Sequence, residues 1–172
     1  MQNAHVPSIS PEPRIETIDP VSLVGKRLAM TFATNRTAEL WRSFMPHRNS
    51  IGNRLNGDMI SMQIYDPSTD FAAFHPGIAF EKWAAVEVSD GEDLVDGMEA
   101  YQLTGGLYAV FVYQGPPSAA TPSFQYIMTD WLPRSDYLLD NTRPHFERLG
   151  IGYKGEDPAS EEEIWIPIRP RT

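Results

Sequence analysis

Glu163-Ile164-Trp165-Ile166-Pro167-Ile168 alternates strictly, with Ile164, Ile166 and Ile168 on one side and Glu163 and Trp165 on the other. A period of two marks a strand whose successive side chains point to opposite faces. The isoleucines predict a core-facing side. The other side sets a carboxylate two residues from an indole, a pairing that attracts an organic cation or serves as an acid or base on a flat ligand. The plain alternative is an edge strand with Glu163 in water, because glutamate is mostly exposed in folded chains.

Working outward, strand patterns are expected at residues 14–18, 21–32, 59–65, 80–88, 101–113 and 145–149, with Gly25 as a bulge or bend in the second. Leu40, Trp41, Phe44 and Met45 fall at helical spacing in 37–47, and Phe124, Ile127, Met128 and Trp131 do so in 121–132. Thr37 is the expected cap of the first helix and Pro133 the stop of the second. Residues 66–77 are rich in turns, and 90–97 and 154–162 are acidic connectors.

These segments form a weak repeat. Phe44-Met45-Pro46 and Trp131-Leu132-Pro133 end the two helices 87 residues apart, and Trp83 to Glu87 matches Glu163 to Pro167 at 80. In that register Trp83, Ala85 and Glu87 correspond to Glu163, Trp165 and Pro167, so both closing strands offer a Trp and a Glu to one groove. The expected fold is α+β: duplicated β-α-β-β halves with antiparallel sheets and two helices around a central ligand cavity.

Composition narrows the function. A chain of 172 residues suits one domain over 14–172, preceded by a disordered lead-in at 1–13 that holds Pro7, Pro11 and Pro13. With no cysteine, disulfide scaffolds, thiolate metal sites and cysteine nucleophiles are excluded. No apolar run approaches the ~20 residues of a membrane span, and no signal-peptide pattern opens the chain, so no membrane association and a cytoplasmic location are expected. A net charge of −9 without a basic cluster argues against direct nucleic-acid binding.

His5, His47, His75 and His145 lack metal-ligand spacing, Asp90-Gly91-Glu92-Asp93 lacks the calcium-loop pattern, and Gly105-Gly106 and Gly150-x-Gly152 are not phosphate loops. No metal and no cofactor are expected.

The ordered series Val24-Gly25, Leu40-Trp41-x-x-Phe44-Met45-Pro46, Ala85-Val86-Glu87-Val88, Tyr108 to Pro116, Tyr126-x-x-x-x-Trp131-Leu132-Pro133 and Glu163 to Ile168 resembles the GyrI-like small-molecule-binding domain, also called the AraC-type effector-binding domain. The likeness runs over residues 14–170. It implies a duplicated fold whose central cavity has aromatic walls and an acidic residue, often fused to a helix-turn-helix module and sensing lipophilic cations and drugs. The short lead-in makes the chain similar to free-standing members. Some of those bind drugs, one group inhibits DNA gyrase, and some hydrolyse cyclopropane-bearing alkylating compounds with a pocket glutamate.

The position matching the pocket acid is Glu163, with Glu87 a second candidate on the pseudo-symmetric strand. Trp41, Phe44, Trp83, Tyr108, Tyr126, Trp131 and Trp165 are the candidate ligand-binding rings. Trp41, Phe44 and Trp131, at helical spacing, read first as core packing, and Tyr126 is the better placed of the helical rings for the cavity. Residues 66–80, with Phe71, Phe74 and His75, depart from the family pattern at the cavity mouth.

A carboxylate buried among rings has its pKa raised by desolvation, and so can anchor a cation or exchange a proton near neutrality. The leading expectation is a binding protein for a small hydrophobic or cationic organic ligand. The alternative is a hydrolase of cyclopropanoid or other electrophilic compounds, with Glu163 and Tyr126 as catalytic residues. A third is a protein partner, gyrase or a transcription regulator, met through an acidic loop at 90–96 or 156–163.

Overall fold

Alternating burial along β-branched and aromatic segments builds a ten-stranded sheet. The computed structural model describes residues 6–73, 75–92 and 94–172; His5, Phe74 and Asp93 lie outside the described residues. The strands are β1 (Ser8–Ile9), β2 (Arg14–Ile18), β3 (Val21–Thr31), β4 (Met59–Tyr65), β5 (Ala79–Val88), β6 (Glu99–Leu103), β7 (Gly106–Gln114), β8 (Tyr137–Leu139), β9 (His145–Leu149) and β10 (Glu161–Pro170). Helix α1 (Thr37–Phe44) runs into a 3₁₀ turn at Met45–Ser50, and α2 (Thr121–Tyr126) passes through a π turn, Ile127–Trp131, into a last turn at Leu132–Arg134.

The fold is α+β and duplicated. The first half is β3-α1-β4-β5 and the second β7-α2-β9-β10, each an antiparallel three-stranded sheet with its last strand in the middle. The halves join where β4 pairs antiparallel with β9. Each half also lends a strand to the other: β2, which precedes the first half, pairs with β7, and β6, which precedes the second, pairs with β3.

The two faces are both buried. On the helix side, Leu40 and Phe44 of α1 pack on Val24, Ala84, Val86 and Val88, while Ile127 and Trp131 pack on Phe111, Ile164, Ile166 and Ile168. The isoleucine side of β10 thus faces core. The opposite face gathers Leu23, Met62, Trp83, Tyr108, Phe146 and Trp165. Where the two halves meet on this second face, rings fill the space between them.

Several local expectations change. Gly25 is not a bulge: β3 and β5 pair without interruption from Ser22↔Val88 to Thr31↔Ala79. Glycine is required there because a Cβ would sit 2.0 Å from the carbonyl oxygen of Ala84. The strand expected at 101–113 is two strands broken at Thr104-Gly105, and Gly106, which opens the second, takes φ 146°. Thr37 does not cap α1; the cap position is Arg36, and Asn35 Oδ1 accepts the Thr37 N–H at 2.9 Å. Pro133 lies inside the last helical turn, where a missing N–H costs little, and the π turn before it accommodates the change of winding. Over residues 6–13 the lead-in expected to be disordered lies against the sheet, because β7 beyond β2 offers free backbone groups: Ser8 and Ile9 pair with Gln114 and Tyr113, and the Ser10 N–H donates to Val112 O at 2.9 Å.

Gly25→Ala forces backbone apart at the β3–β5 contact, so its urea unfolding midpoint is expected to fall by the equivalent of about 2–3 kcal/mol. An unchanged midpoint would show that this approach is not required.

Candidate functional site

Strand register lays one row of side chains across the sheet: Arg27, Trp83, Met62, Phe146, Trp165, Val110 and Arg14, on β3, β5, β4, β9, β10, β7 and β2 in turn. An arginine stands at each end, and Met62 opposite Phe146 at the centre. Cross-strand neighbours share a face, so this row is the spine of the ring cluster.

Each tryptophan is bound to the carboxylate two residues before it. Trp83 Nε1–H donates to Glu81 Oε1 at 2.6 Å, and Trp165 Nε1–H donates to Glu163 Oε1 at 3.3 Å. Each carboxylate holds an arginine in turn: Arg27 pairs with Glu81 at 2.8 Å, and Arg14 with Glu163 at 2.6 Å. The true correspondence of the halves is therefore Trp83 with Trp165 and Glu81 with Glu163, a spacing of 82 residues instead of the expected 80. Weak identity between the closing strands hid those two residues.

Phe146 stacks on Trp165, with centroids 5.1 Å apart and planes at 15°. Tyr108 meets both edge-on, at 5.3 and 5.9 Å, and its hydroxyl donates to Pro144 O at 2.9 Å. Burial raises the Tyr108 pKa, so it remains a neutral donor. Tyr101 leans on Trp83 at 5.5 Å.

Two guanidinium groups flank the Trp165 ring, Arg14 at 5.6 Å and Arg148 at 5.8 Å from its centroid. Arg148 is held by Glu87 and by Asp58, the latter at 3.3 Å. Burial pulls the Arg148 pKa down, but Glu87 and Asp58 outweigh it and the net shift is upward. The Glu163 side chain is 28% exposed, so it is neither dry nor free in water.

The structure thus brings together Glu163, Glu87, Trp83, Tyr108 and Trp165. It does not bring the helical rings to them. Trp41 and Phe44 meet edge-on at 5.7 Å in the core under α1, and Trp131 packs edge-on against Phe111 at 5.3 Å under α2. The Tyr126 hydroxyl donates to Pro11 O at 2.7 Å and accepts from Arg134 at 2.8 Å. It lies on the helix side of the sheet, so Glu163 and Tyr126 do not form one catalytic pair. Amphipathic spacing buried these rings against the nearest sheet face, as the packing alternative for such residues holds.

Sequence reasoning missed a polar group on the helix side. Lys82 lies opposite Gln63, Gln63 opposite His145, and Ser61 opposite Glu147. Lys82, Gln63, His145 and Glu162 are buried, and Glu147 Oε2 is buried without a hydrogen-bond partner among the described residues. Burial lowers the Lys82 pKa against the pull of Glu147 and Glu162, raises that of Glu147, and drives His145 down to about 3. The available signal was a lysine in the apolar segment 79–88 and a glutamate at the inward phase of 145–149.

Among the described residues no three histidine or acidic side chains gather to hold a metal ion, and no helix is long and apolar enough to cross a membrane. The transcriptional regulator BrlR of Pseudomonas aeruginosa is 27% identical over 150 residues, covering 86% of this chain and 52% of the relative. The chain thus spans about half the length of the curated relative it matches. The C-terminal domain of EcmrR superposes with a TM-score of 0.67 at 17% identity, covering 96% of this chain and 99% of that one. SAV2435, solved with tetraphenylphosphonium, gives 0.61 at 18% identity over 92% and 94% of the two chains. A hydrolase from Listeria innocua gives 0.57 at 11% identity over 92% of each. At these identities the structural likeness is one of fold. The model of the GyrI-like small molecule binding domain matches residues 11–169, nearly the whole of the duplicated sheet, and the chain belongs to that family.

Proposed function

We propose that the ring row captures a lipophilic aromatic cation, with Glu163 as its anchor. The observation carrying this reading is the occupied cation position over Trp165: Arg14 lies 5.6 Å from the ring centroid and 2.6 Å from Glu163 Oε2. A guanidinium against an indole and a carboxylate has the same charge and flat contact as an organic cation. An incoming ligand takes the place of Arg14, stacks beside Trp165 and Phe146, and leaves Arg14 to Glu16, its second partner at 2.6 Å. The rings are packed in this structure, so entry requires Trp165 or Tyr108 to turn aside. The SAV2435 fold relative, solved with tetraphenylphosphonium, supports this ligand class.

BrlR is a transcriptional regulator and EcmrR has been solved in a complex with DNA, which supports a role as the effector-binding part of such a regulator. A net charge of −9 favours DNA contact by another part of such a regulator. The hydrolytic alternative has less support: among the described residues Glu163 is bonded to Arg14 and Trp165, the Tyr108 hydroxyl is spent on Pro144 O, and Tyr126 lies across the sheet.

Tetraphenylphosphonium titrated by calorimetry is expected to bind, and Glu163→Gln to weaken it about tenfold, about 1.4 kcal/mol, while neutral triphenylphosphine oxide changes less than twofold. Equal losses for both ligands overturn Glu163 as the charge anchor. Arg14→Gln removes the internal competitor, so tetraphenylphosphonium affinity is expected to rise severalfold; a fall would show that Arg14 builds the site instead of occupying it.

A further inference from the structure

The loop that leads into β4 carries chemistry that neither the ring row nor the core uses. It contains Asn56-Gly57, the only asparagine–glycine pair in the sequence, and both residues are exposed. An asparagine side-chain amide can be attacked by the next backbone nitrogen, closing a five-membered ring. A side chain on that next residue hinders the approach, and glycine has none. Three features favour the attack here. The Gly57 N–H donates to no group among the described residues. A Cβ at Gly57 would meet nothing within 4 Å, so the space around that residue is open. The Asp58 N–H donates to Asn56 Oδ1 at 3.0 Å, which polarises the side-chain carbonyl and steadies the negative charge that an attack places on its oxygen.

Glycine is not needed there for shape. Gly57 does not take a positive φ and nothing crowds it, so an ordinary residue would fit the turn. The other asparagines among the described residues are held back. Asn35 makes the same turn, with Oδ1 accepting the Thr37 N–H at 2.9 Å, but its successor is Arg36, tied to Glu39 at 2.7 Å. Asn49 lies inside the 3₁₀ turn Met45–Ser50. Asn53 is followed by Arg54, which is bridged to Val88. After Asn141, the Thr142 N–H is spent on Asp140 Oδ1 at 3.2 Å.

We propose that Asn56 is a self-modification site, converting to aspartate and isoaspartate and so loading the Arg148 group with extra negative charge. The Gly57 nitrogen gives its proton to water and bonds to Asn56 Cγ. The Cγ–Nδ2 bond breaks, and Nδ2 leaves as ammonia with a proton taken from water. A second water molecule opens the cyclic imide. Breaking its bond to Cγ yields aspartate, and breaking its bond to the main-chain carbonyl yields isoaspartate.

The conversion reaches the ring face through one contact. Asn56 Nδ2–H donates to Glu87 Oε2 at 3.0 Å, and Glu87 Oε1 holds Arg148, which Asp58 also holds and which lies 5.8 Å from the Trp165 ring centroid. Conversion replaces that donor with a carboxylate, so three acids then surround one guanidinium and like charges face each other at Glu87. Isoaspartate also lengthens the backbone between Leu55, whose N–H donates to Glu87 O at 3.0 Å, and Met59, where β4 begins.

The test incubates the full chain at pH 8 and 37 °C, with ion-exchange chromatography, peptide mapping and an isoaspartate methyltransferase as the probe. A more acidic form is expected, heavier by about 1 Da in the peptide that holds residue 56. Its rate should not depend on protein concentration and should exceed that at Asn35, Asn49, Asn53 and Asn141 by roughly tenfold or more. Gly57→Ala, which the open turn accommodates, is expected to slow the conversion about tenfold. Asn56→Asp should lower the urea midpoint by roughly 0.5 M, and Asn56→Ser, which loses the bond to Glu87 without adding charge, by about half as much or less. Conversion at Asn56 no faster than at the other asparagines, or equally fast in Gly57→Ala, overturns the site. An Asn56→Asp midpoint no lower than that of Asn56→Ser overturns the link to Glu87 and Arg148. The reaction needs no ligand, so its absence would leave the ring-row reading untouched.

Discussion

The pairing of Met62 with Phe146 across β4 and β9 is the contact through which the two halves become one sheet. Register there decides which side chains meet. A slip of one residue would move Phe146 to the helix side and bring His145 and Glu147 to the ring side. Because β5 and β10 take their register from β4 and β9, the same slip would scatter Trp83 and Trp165. The stacked Phe146–Trp165 pair helps prevent it, since offset stacking favours one alignment over its neighbours. Burial on both faces adds to this: neither side of the central strands can turn to water without exposing rings or isoleucines.

The ring face is balanced in charge as well as packed. Glu81, Glu163 and Glu87 each hold an arginine, and the indole hydrogens of Trp83 and Trp165 complete two of the three groups. A carboxylate so satisfied costs little to bury, and on the proposed reading an arriving cation would gain a partner only by exchange. Exchange is selective. A weakly hydrated aromatic cation can replace a guanidinium, whereas a small, strongly hydrated ion gains less from an indole face. The helix side follows a different rule, because Lys82, Glu147 and Glu162 are close enough to influence one another yet leave hydrogen-bonding capacity unused.

Much of this was legible from residues alone. The alternation of β10 gave its two faces, helical spacing located both helices, and the recurrence of Trp with Glu foretold a duplicated ring face. Three things were not. The true offset between Trp83 and Trp165, each the fifth residue of its strand, depends on where β5 and β10 begin, which identity at adjacent positions does not report. The helical aromatics were separated from the ring face by the sheet itself, and a one-dimensional pattern does not say which side of a sheet a helix covers. The partners of Glu163 and Glu87 come from Arg14 and Arg148, respectively 149 and 61 residues away along the chain. Charge pairs of that separation are made by topology and leave no local signature.

The exchanged strands β2 and β6 have a consequence for how the molecule is made. Residues 14–18 find their hydrogen-bonding partner only after residue 110 has been synthesised, and β3 lacks its outer neighbour until residue 103. The amino-terminal repeat therefore leaves the ribosome with two unfinished borders, both open to pairing with foreign chains. Closure by such distant segments is slow, and the nascent polypeptide must be shielded until its second repeat has emerged.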